Sequence, residues 1–325
     1  MKTAIKIESG DARQLVKGLE KNSIDAVYFD PPFNTGRKFR LVPNSNLGFD
    51  DIHPTDQEYI DLIEPILSES KNYLKKDGSF FFHISAEEMM IPHMLCTKHF
   101  KKVQPIFWNR SRSKNNVKNK LGAVVDMLFW CSNVDKPKFN LVYQPLDPYY
   151  AANSYKNEDD RGNYALGHIV YSRTQATENK DRHYTYTVEG RSWKPEYGWR
   201  LDKADLDALV GEGRVHFPKT EKGNLYRKIY MHESKGKPCT NLWDDLHSIA
   251  MGSELRKYPT QKPISLLHRI IEMSTNEGDI ILDPMAGSGT TALAARPLNR
   301  DCILFENNSD AVDIINQNIK AFFER

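Results

Sequence analysis

The feature that most constrains this chain is a largely apolar run, Ile24 to Phe29 (IDAVYF), that stops abruptly at Asp30-Pro31-Pro32-Phe33. A short, non-alternating run bounded by turn formers reads as a strand buried on both faces, the kind that parallel sheets contain. The tetrapeptide then lies at the strand's carboxyl end, the edge where open α/β sheets bind ligands. Two consecutive prolines stiffen the backbone there and leave carbonyls with no competing local N–H. Asp30 and the Pro31 carbonyl can each accept an N–H, and Phe33 offers a face for stacking. That set suits an exocyclic amino group on a flat base. The plain alternative is a proline-rich turn whose aspartate caps a helix.

A second strand-and-turn signal stands near the other end. The apolar Asp279 to Leu282 (DIIL) runs into Asp283-Pro284-Met285-Ala286-Gly287-Ser288-Gly289-Thr290-Thr291. Glycines 287 and 289 allow a ligand close to the backbone, and Thr290 and Thr291 are expected to cap the following helix. Strand, Gly-rich turn and helix N-terminus make a nucleotide-type site. A further strand, Cys302 to Phe305 (CILF), is closed by Glu306, an acidic residue placed to accept from ribose hydroxyls. The loop lacks the lysine of a phosphate-binding GxxxxGK[ST] loop and the spacing of GxGxxG, which argues against ATP and NAD.

With these residues in view, the chain resembles the β class of amino DNA methyltransferases. Ser9-Gly10-Asp11 stands ahead of DPPF, and Lys76 to Phe82 (KDGSFFF) looks like the strand after the next helix. Pro259-Thr260-Gln261-Lys262-Pro263 opens the helix before DPMAGSGTT, and DPPF preceding the Gly-rich loop is the permuted order of that class. The segments GRVHF (213–217) and GKPCTNLWDD (236–245) further resemble modification subunits of restriction–modification systems. The likeness covers residues 5–135 and 255–325, and more loosely the middle.

The resemblance implies a doubly wound, mostly parallel α/β sheet of the class I S-adenosylmethionine-dependent type, circularly permuted, with an inserted target-recognition region. It implies catalytic parts at 1–135 (base pocket) and 251–325 (cofactor loop), with recognition at 136–250. Carried over residue by residue, Asp30, Pro31, Pro32 and Phe33 would hold a flipped-out adenine. S-adenosylmethionine would be lined by Asp283, Pro284, Ala286, Gly287, Ser288, Gly289, Thr290 and Asn307, with Glu306 on its ribose. Asp11 would meet the cofactor's adenine, while Thr260, Lys262 and Asp30 would lie near its methionine end. No metal is implied. Double-stranded DNA is the implied partner, with a homodimer and a separate restriction enzyme as further associations, in the cytoplasm of a prokaryotic cell and with a phage or mobile element as a candidate source. Two positions depart from the common pattern: Phe33 where Tyr is usual, and Met285 where Phe is frequent.

The remaining composition fits this picture. The formal net charge is only +2, so a nucleic-acid surface has to come from local clustering. One cluster follows the strand-like Val103 to Trp108: Arg110, Arg112, Lys114, Lys118 and Lys120 among small polar residues. It reads as a loop for phosphate contact, against the alternative of a merely solvated basic loop. The middle interleaves aromatic and basic residues, as in Arg191-Ser192-Trp193-Lys194, with a helix expected over Lys203 to Val210. Its alternative is an insertion that only packs. Four scattered cysteines lack the spacing of a zinc site or a disulfide framework, and no stretch approaches the ~20 apolar residues of a membrane span. His83, inside FFFHIS, reads as a strand residue rather than a base, since no such proton acceptor is required when a carboxylate and a carbonyl hold the amine, and Trp108, Trp130 and Trp243 read as packing rather than cofactor contacts.

Other readings compete, among them RNA or a protein glutamine amide as substrate, although the glutamine enzymes of this superfamily carry Asn-Pro-Pro-Tyr and lack the permuted order. Cytosine-C5 chemistry needs a Pro-Cys nucleophile, and Pro238-Cys239 exists, but no apolar strand precedes it and DPPF is left unexplained. Cytosine-N4 methylation uses the same acceptor pair; in the family it usually goes with Ser at the first position, so Asp30 favours adenine N6. A silent DNA-binding partner would be expected to lose the acceptor or the Gly-rich loop, and both are present.

Overall fold

The computed structural model describes residues 3–40, 48–111, 118–119, 121–220, 223–246 and 260–323. The chain divides into two compact units, Met1–Val142 with Pro238–Arg325, and Tyr143–Lys237.

The first unit is built on an eight-stranded sheet. Its strands are β1 (Ile5–Ser9), β2 (Ile24–Phe29), β3 (Leu74–Ser85), β4 (Lys102–Asn109), β5 (Val125–Ser132), β6 (Leu242–Trp243), β7 (Ile280–Asp283) and β8 (Asp301–Glu306). Their spatial order is β1-β8-β7-β2-β3-β5-β4-β6. Pairing is parallel except where β5 runs against both β3 and β4. The sheet is thus the expected doubly wound, mostly parallel one. β2 and β7, some 250 residues apart in sequence, lie side by side, with Val27 opposite Leu282. Their carboxyl ends therefore bring Asp30 and Asp283 to one edge.

Both faces of the sheet are covered. Ile24, Val27, Phe29, Phe80, Phe82 and Leu282 enter one core with helices α2 (Asp56–Tyr73) and α3 (Met90–His99). Ala26, Tyr28, Phe81, Ile281 and Leu304 enter the other, under α4 (Ile264–Ser274) and α5 (Thr290–Ala295). Every residue of β2 is buried, which is why its sequence shows no alternation. α2 starts where the Thr55 side chain accepts from the Glu58 N–H, and it buries Tyr59, Ile63, Ile66 and Leu67 at helical spacing. Each such side chain contributes roughly 1.5–3 kcal/mol on burial. At the sheet's opposite edge, buried Asp25 accepts from Lys75 (2.7 Å), Lys138 (2.9 Å) and the Ile280 N–H (3.0 Å), clamping β2 to β7.

The second unit has a four-stranded antiparallel sheet, in the order Val215–His216, Tyr226–Tyr230, Gly162–His168, Asn157–Asp159. It also contains a hairpin (Tyr186–Val188 with Arg191–Trp193) and a helix over Lys203–Gly211. Its core is Ile169, Tyr186, Trp193, Trp199, Leu206, Val215 and Leu225. Among the described residues, no helix is long and apolar enough to cross a membrane.

Candidate functional site

A cleft of about 480 Å³ opens at the carboxyl ends of β2, β7 and β8. Its lining gathers residues from both ends of the chain: Asp11, Asp30 to Phe33, Thr260, Lys262, Asp283 to Ser288, Thr290, Glu306 and Asn307. Gly289 lies behind the lining. It has φ +75°, and a Cβ there would come within 2.8 Å of the Ile315 side chain, so the position is conformationally and sterically reserved for glycine.

The Gly-rich turn is held from below. One Glu306 oxygen accepts from the Gly287 N–H (2.8 Å) and the other from the Asn308 N–H (2.9 Å). The Asn307 N–H also bonds this carboxylate, whose roughly four lone-pair sites still leave acceptor capacity for a ligand. Burial raises the Glu306 carboxyl above its usual range against the pull of those backbone donors. Asp283, fully enclosed at the end of β7, accepts from the Thr291 hydroxyl (2.5 Å) and the Met285 N–H (3.1 Å). Burial nevertheless pushes its carboxyl up to about 7. Thr290 and Thr291 do not cap the helix as expected. Gly289, in the left-handed region, is the N-cap, and Thr291 turns its hydroxyl to Asp283 instead. Asp11 is the N-cap of the short helix α1 (Ala12–Leu15) and is gripped by the Arg13 guanidinium at 2.6–3.1 Å, which lowers its pKa. Arg13, also in the lining, was not singled out from the sequence.

The DPPF side of the cleft is organised around Asp30. Its Oδ2 accepts from Lys262 Nζ at 2.5 Å, while Oδ1 is buried with no hydrogen-bond partner among the described residues. Lys262 Nζ also lies 5.0 Å from the centre of the Phe33 ring, so it sits in the base-pocket half of the cleft. The chain after DPPF is pinned by Asp51, which accepts from the N–H groups of Asn34 (2.6 Å) and Thr35 (3.1 Å). Beside Asp30 stands His83, wholly buried, with Nδ1 2.7 Å from the Tyr28 hydroxyl and 3.7 Å from Asp30 Oδ1. It is a strand residue, as expected, but it stands against Asp30 behind the cleft, whose lining does not include it. The signal that finds it is register: Phe29 pairs with Phe82, so the next residues, Asp30 and His83, come level.

The basic loop is only partly described. Arg110 is turned inward: its Nε is 2.9 Å from the buried carboxylate of Asp126, and its guanidinium donates to the Ala123 carbonyl (3.3 Å). Lys118 is exposed, and Arg112, Lys114 and Lys120 lie outside the described residues. Cys239 is absent from the cleft's lining; it borders a separate cavity with Trp130 and Trp243.

A family model described as DNA methylase (N6/N4 type) matches residues 24–317. The chain belongs to the N6/N4 DNA methylase family. Type II methyltransferase M.EcaI of Enterobacter cloacae is 28% identical over 296 residues, 88% of this family member and 62% of that protein. The Mod subunit of the type III restriction-modification enzyme StyLTI of Salmonella typhimurium is 25% identical, over 90% of this chain and 50% of its own. The DNA adenine methyltransferase YhdJ of Escherichia coli K12 is 27% identical, over 93% and 78%. The chain thus spans less than two thirds of the length of the first two relatives. Two solved structures share the fold. A putative DNA modification methylase from Thermus thermophilus, complexed with S-adenosyl-L-methionine, aligns over 98% of this chain and 95% of that one (TM-score 0.50, 14% identity). The cytosine-N4-specific PvuII DNA methyltransferase aligns over the same shares (TM-score 0.51, 15% identity).

Proposed function

We propose that this chain transfers a methyl group from S-adenosylmethionine to N6 of an adenine flipped out of a specific double-stranded DNA sequence. The observation that carries this reading is the buried Oδ1 of Asp30, which has no partner among the described residues and belongs to a residue lining the same cleft as the Gly-rich turn. A buried acceptor without a donor is costly unless a ligand supplies one.

The cleft suits the cofactor chemically. Its volume is in the range that encloses small cofactors. Glu306 has acceptor capacity left for ribose hydroxyls, and Gly287 presents no side chain to a close ligand. Bound there, S-adenosylmethionine would supply an electrophilic methyl group. The protein supplies the rest. Asp30 Oδ1 and the Pro31 carbonyl would accept the amine's two N–H groups, favouring a tetrahedral nitrogen whose lone pair is no longer spread into the ring. Those contacts strengthen as the bond to carbon forms, and this difference accelerates the step. Phe33 would stack on the base, and the shared cleft would bring the two reactants within reaction distance.

Asp283 gives this reading a pH signature. Its carboxyl is neutral below about 7 and anionic above. Affinity for the cationic cofactor should therefore rise as pH climbs through that value, by roughly tenfold at most per pH unit. Titration calorimetry on the protein and on Asp283→Asn checks this: the pH dependence should flatten in the variant, and an identical slope in both would remove Asp283 as its source.

The second unit would read the target sequence. Cations packed on aromatic rings recur there: Arg191 over Trp193, Arg200 over Tyr171, Arg214 over Tyr230 and Lys228 over Tyr164. Of these rings only Tyr171 is not buried, and Arg214 and Lys228 are already held by Glu233 and Asp159, so Arg200 with Tyr171 is the pair placed for phosphate contact combined with base stacking. Arg112, Lys114 and Lys118 would add phosphate contacts, with Arg110 serving Asp126 first. A homodimer and a separate restriction enzyme would complete a restriction–modification system in a prokaryotic cytoplasm.

Cytosine N4 is the second reading, because an acceptor pair serves either amine and a cytosine-N4-specific enzyme shares the fold. Duplexes blocked in advance at one base separate the two. Label transfer should vanish on DNA carrying N6-methyladenine throughout and persist on DNA carrying N4-methylcytosine; the reverse pattern would install the second reading.

A further inference from the structure

We infer that His83 takes up the proton lost by the target amine, receiving it from Asp30 and holding it against Asp126. The inference rests on the amino-methylation reading above and adds to it the route by which the proton leaves.

The geometry is a row of side chains running inward from the cleft. His83 Nδ1 is 3.7 Å from Asp30 Oδ1, His83 Nε2 is 3.4 Å from Asp126 Oδ2, and Asp126 Oδ1 is 2.9 Å from Arg110 Nε. Among the described residues, Asp30 Oδ1 and His83 Nε2 are buried without a hydrogen bond, while Asp126 Oδ1 and Arg110 Nε meet each other as an ion pair. A histidine kept only for packing would be expected to have its ring nitrogens satisfied. Unsatisfied atoms strung between two carboxylates are instead suited to a charge that arrives during the reaction. The strands place them: His83 and Asp126 lie diagonally across the β3–β5 pair, His83 opposite Leu128 and Asp126 opposite Ser85.

The groups facing His83 define its working state. Tyr28 and Asp30 approach from β2 and its end, Asp126 from β5, and the Phe33 and Trp108 rings close the sides at 5.6 and 5.5 Å. Lys262 engages the far oxygen of Asp30, Arg110 that of Asp126, and Asp283 acts on Tyr28 from β7. Burial holds Tyr28 as a neutral phenol able to donate to Nδ1; the inferred resting tautomer then carries its ring proton on Nε2, toward Asp126.

The step balances as follows. The amine lone pair forms the N–C bond while the C–S bond breaks, and its electron pair stays on sulfur as a neutral thioether. The nitrogen, now cationic, gives one proton to Asp30 Oδ1. Asp30 passes it to Nδ1 and is again a carboxylate, as the Tyr28 hydroxyl turns from donating to accepting. The imidazolium then lies between two carboxylates until product leaves and solvent takes the proton.

Single-turnover transfer, followed across the pH range where histidine titrates, tests this on the protein, His83→Gln and Asp126→Asn, with cofactor affinity measured on each. The expected result is a loss of about 10- to 100-fold for His83→Gln near neutrality, at the low end of general-base contributions because the methylated amine is already acidic. Cofactor affinity should stay within about twofold and the acid limb of the rate profile should vanish. Asp126→Asn should move that limb to lower pH. NMR on the free protein supplies a readout independent of activity: the His83 Nε2–H resonance should move upfield in Asp126→Asn as its carboxylate acceptor is lost, and it carries the test should His83→Gln fail to fold. His83→Gln with wild-type rate and an unmoved acid limb would overturn the inference, as would an unmoved Nε2–H resonance. Failure of the underlying reading looks different, because the unmodified protein would then transfer no methyl group to DNA.

Discussion

Replacing Asp30 by Ala is expected to lower the transfer rate by about 10²–10³-fold or more, the scale seen when one preorganised charge-stabilising group is removed. Oδ1 would be gone as acceptor, and Lys262 would lose the carboxylate it holds at 2.5 Å. The freed ammonium, over the Phe33 ring, would then stand where a base has to stack. Cofactor affinity should change little, because Glu306 and the Gly-rich turn are untouched. The informative variant is Asp30→Asn, which keeps the shape but turns an amide toward either Lys262 or the amine. It should be nearly as slow. Rapid-quench kinetics paired with calorimetry separate the two quantities, and retained turnover in both variants would remove Asp30 from the chemistry.

Glu306→Ala should act on the other half of the cleft and produce the converse split. The substitution leaves the Gly287 and Asn308 N–H groups without the carboxylate that accepts them at 2.8 and 2.9 Å. Hydrogen bonds to a charged acceptor contribute about 1.5–3 kcal/mol each, so the turn loosens as the ribose acceptor disappears. Affinity for S-adenosylmethionine is expected to weaken by about 10²-fold or more, with a lower melting temperature for the free protein. The rate at saturating cofactor should fall far less than in Asp30→Ala. Unchanged affinity would mean that the carboxylate serves the fold alone.

Much of the scaffold around these two groups is legible in the chain itself. β2, β7 and β8 are fully or mostly buried, so their sequences are short apolar runs closed by Asp30, Asp283 and Glu306, and burial on both faces leaves few other readings. The helix expected over Lys203 to Val210 forms over Lys203–Gly211, with Asp202 capping it. What stays hidden depends on register and on contacts distant in sequence. Nothing near His83 announces Tyr28, Asp30 and Asp126; only the pairing of β3 with β2 on one side and β5 on the other assembles them. Asp51 holds Asn34 and Thr35 from 16–17 residues away. Arg110 looks like one more cation in a basic loop until the antiparallel β4–β5 pairing brings it to a buried carboxylate, which then competes with phosphate for it. The expected threonine caps failed for a local reason: a left-handed Gly289 already turns the chain into the helix, freeing Thr291 for Asp283.

Nucleoside mass spectrometry of mixed-sequence duplex DNA, after incubation with the protein and methyl-labelled S-adenosylmethionine, decides which atom is methylated. Label is expected on N6-methyladenine, and is expected to be lost when Asp30 is replaced. Label on C5 of cytosine, or no label despite measurable cofactor binding and DNA that contains the target sequence, would contradict this assignment.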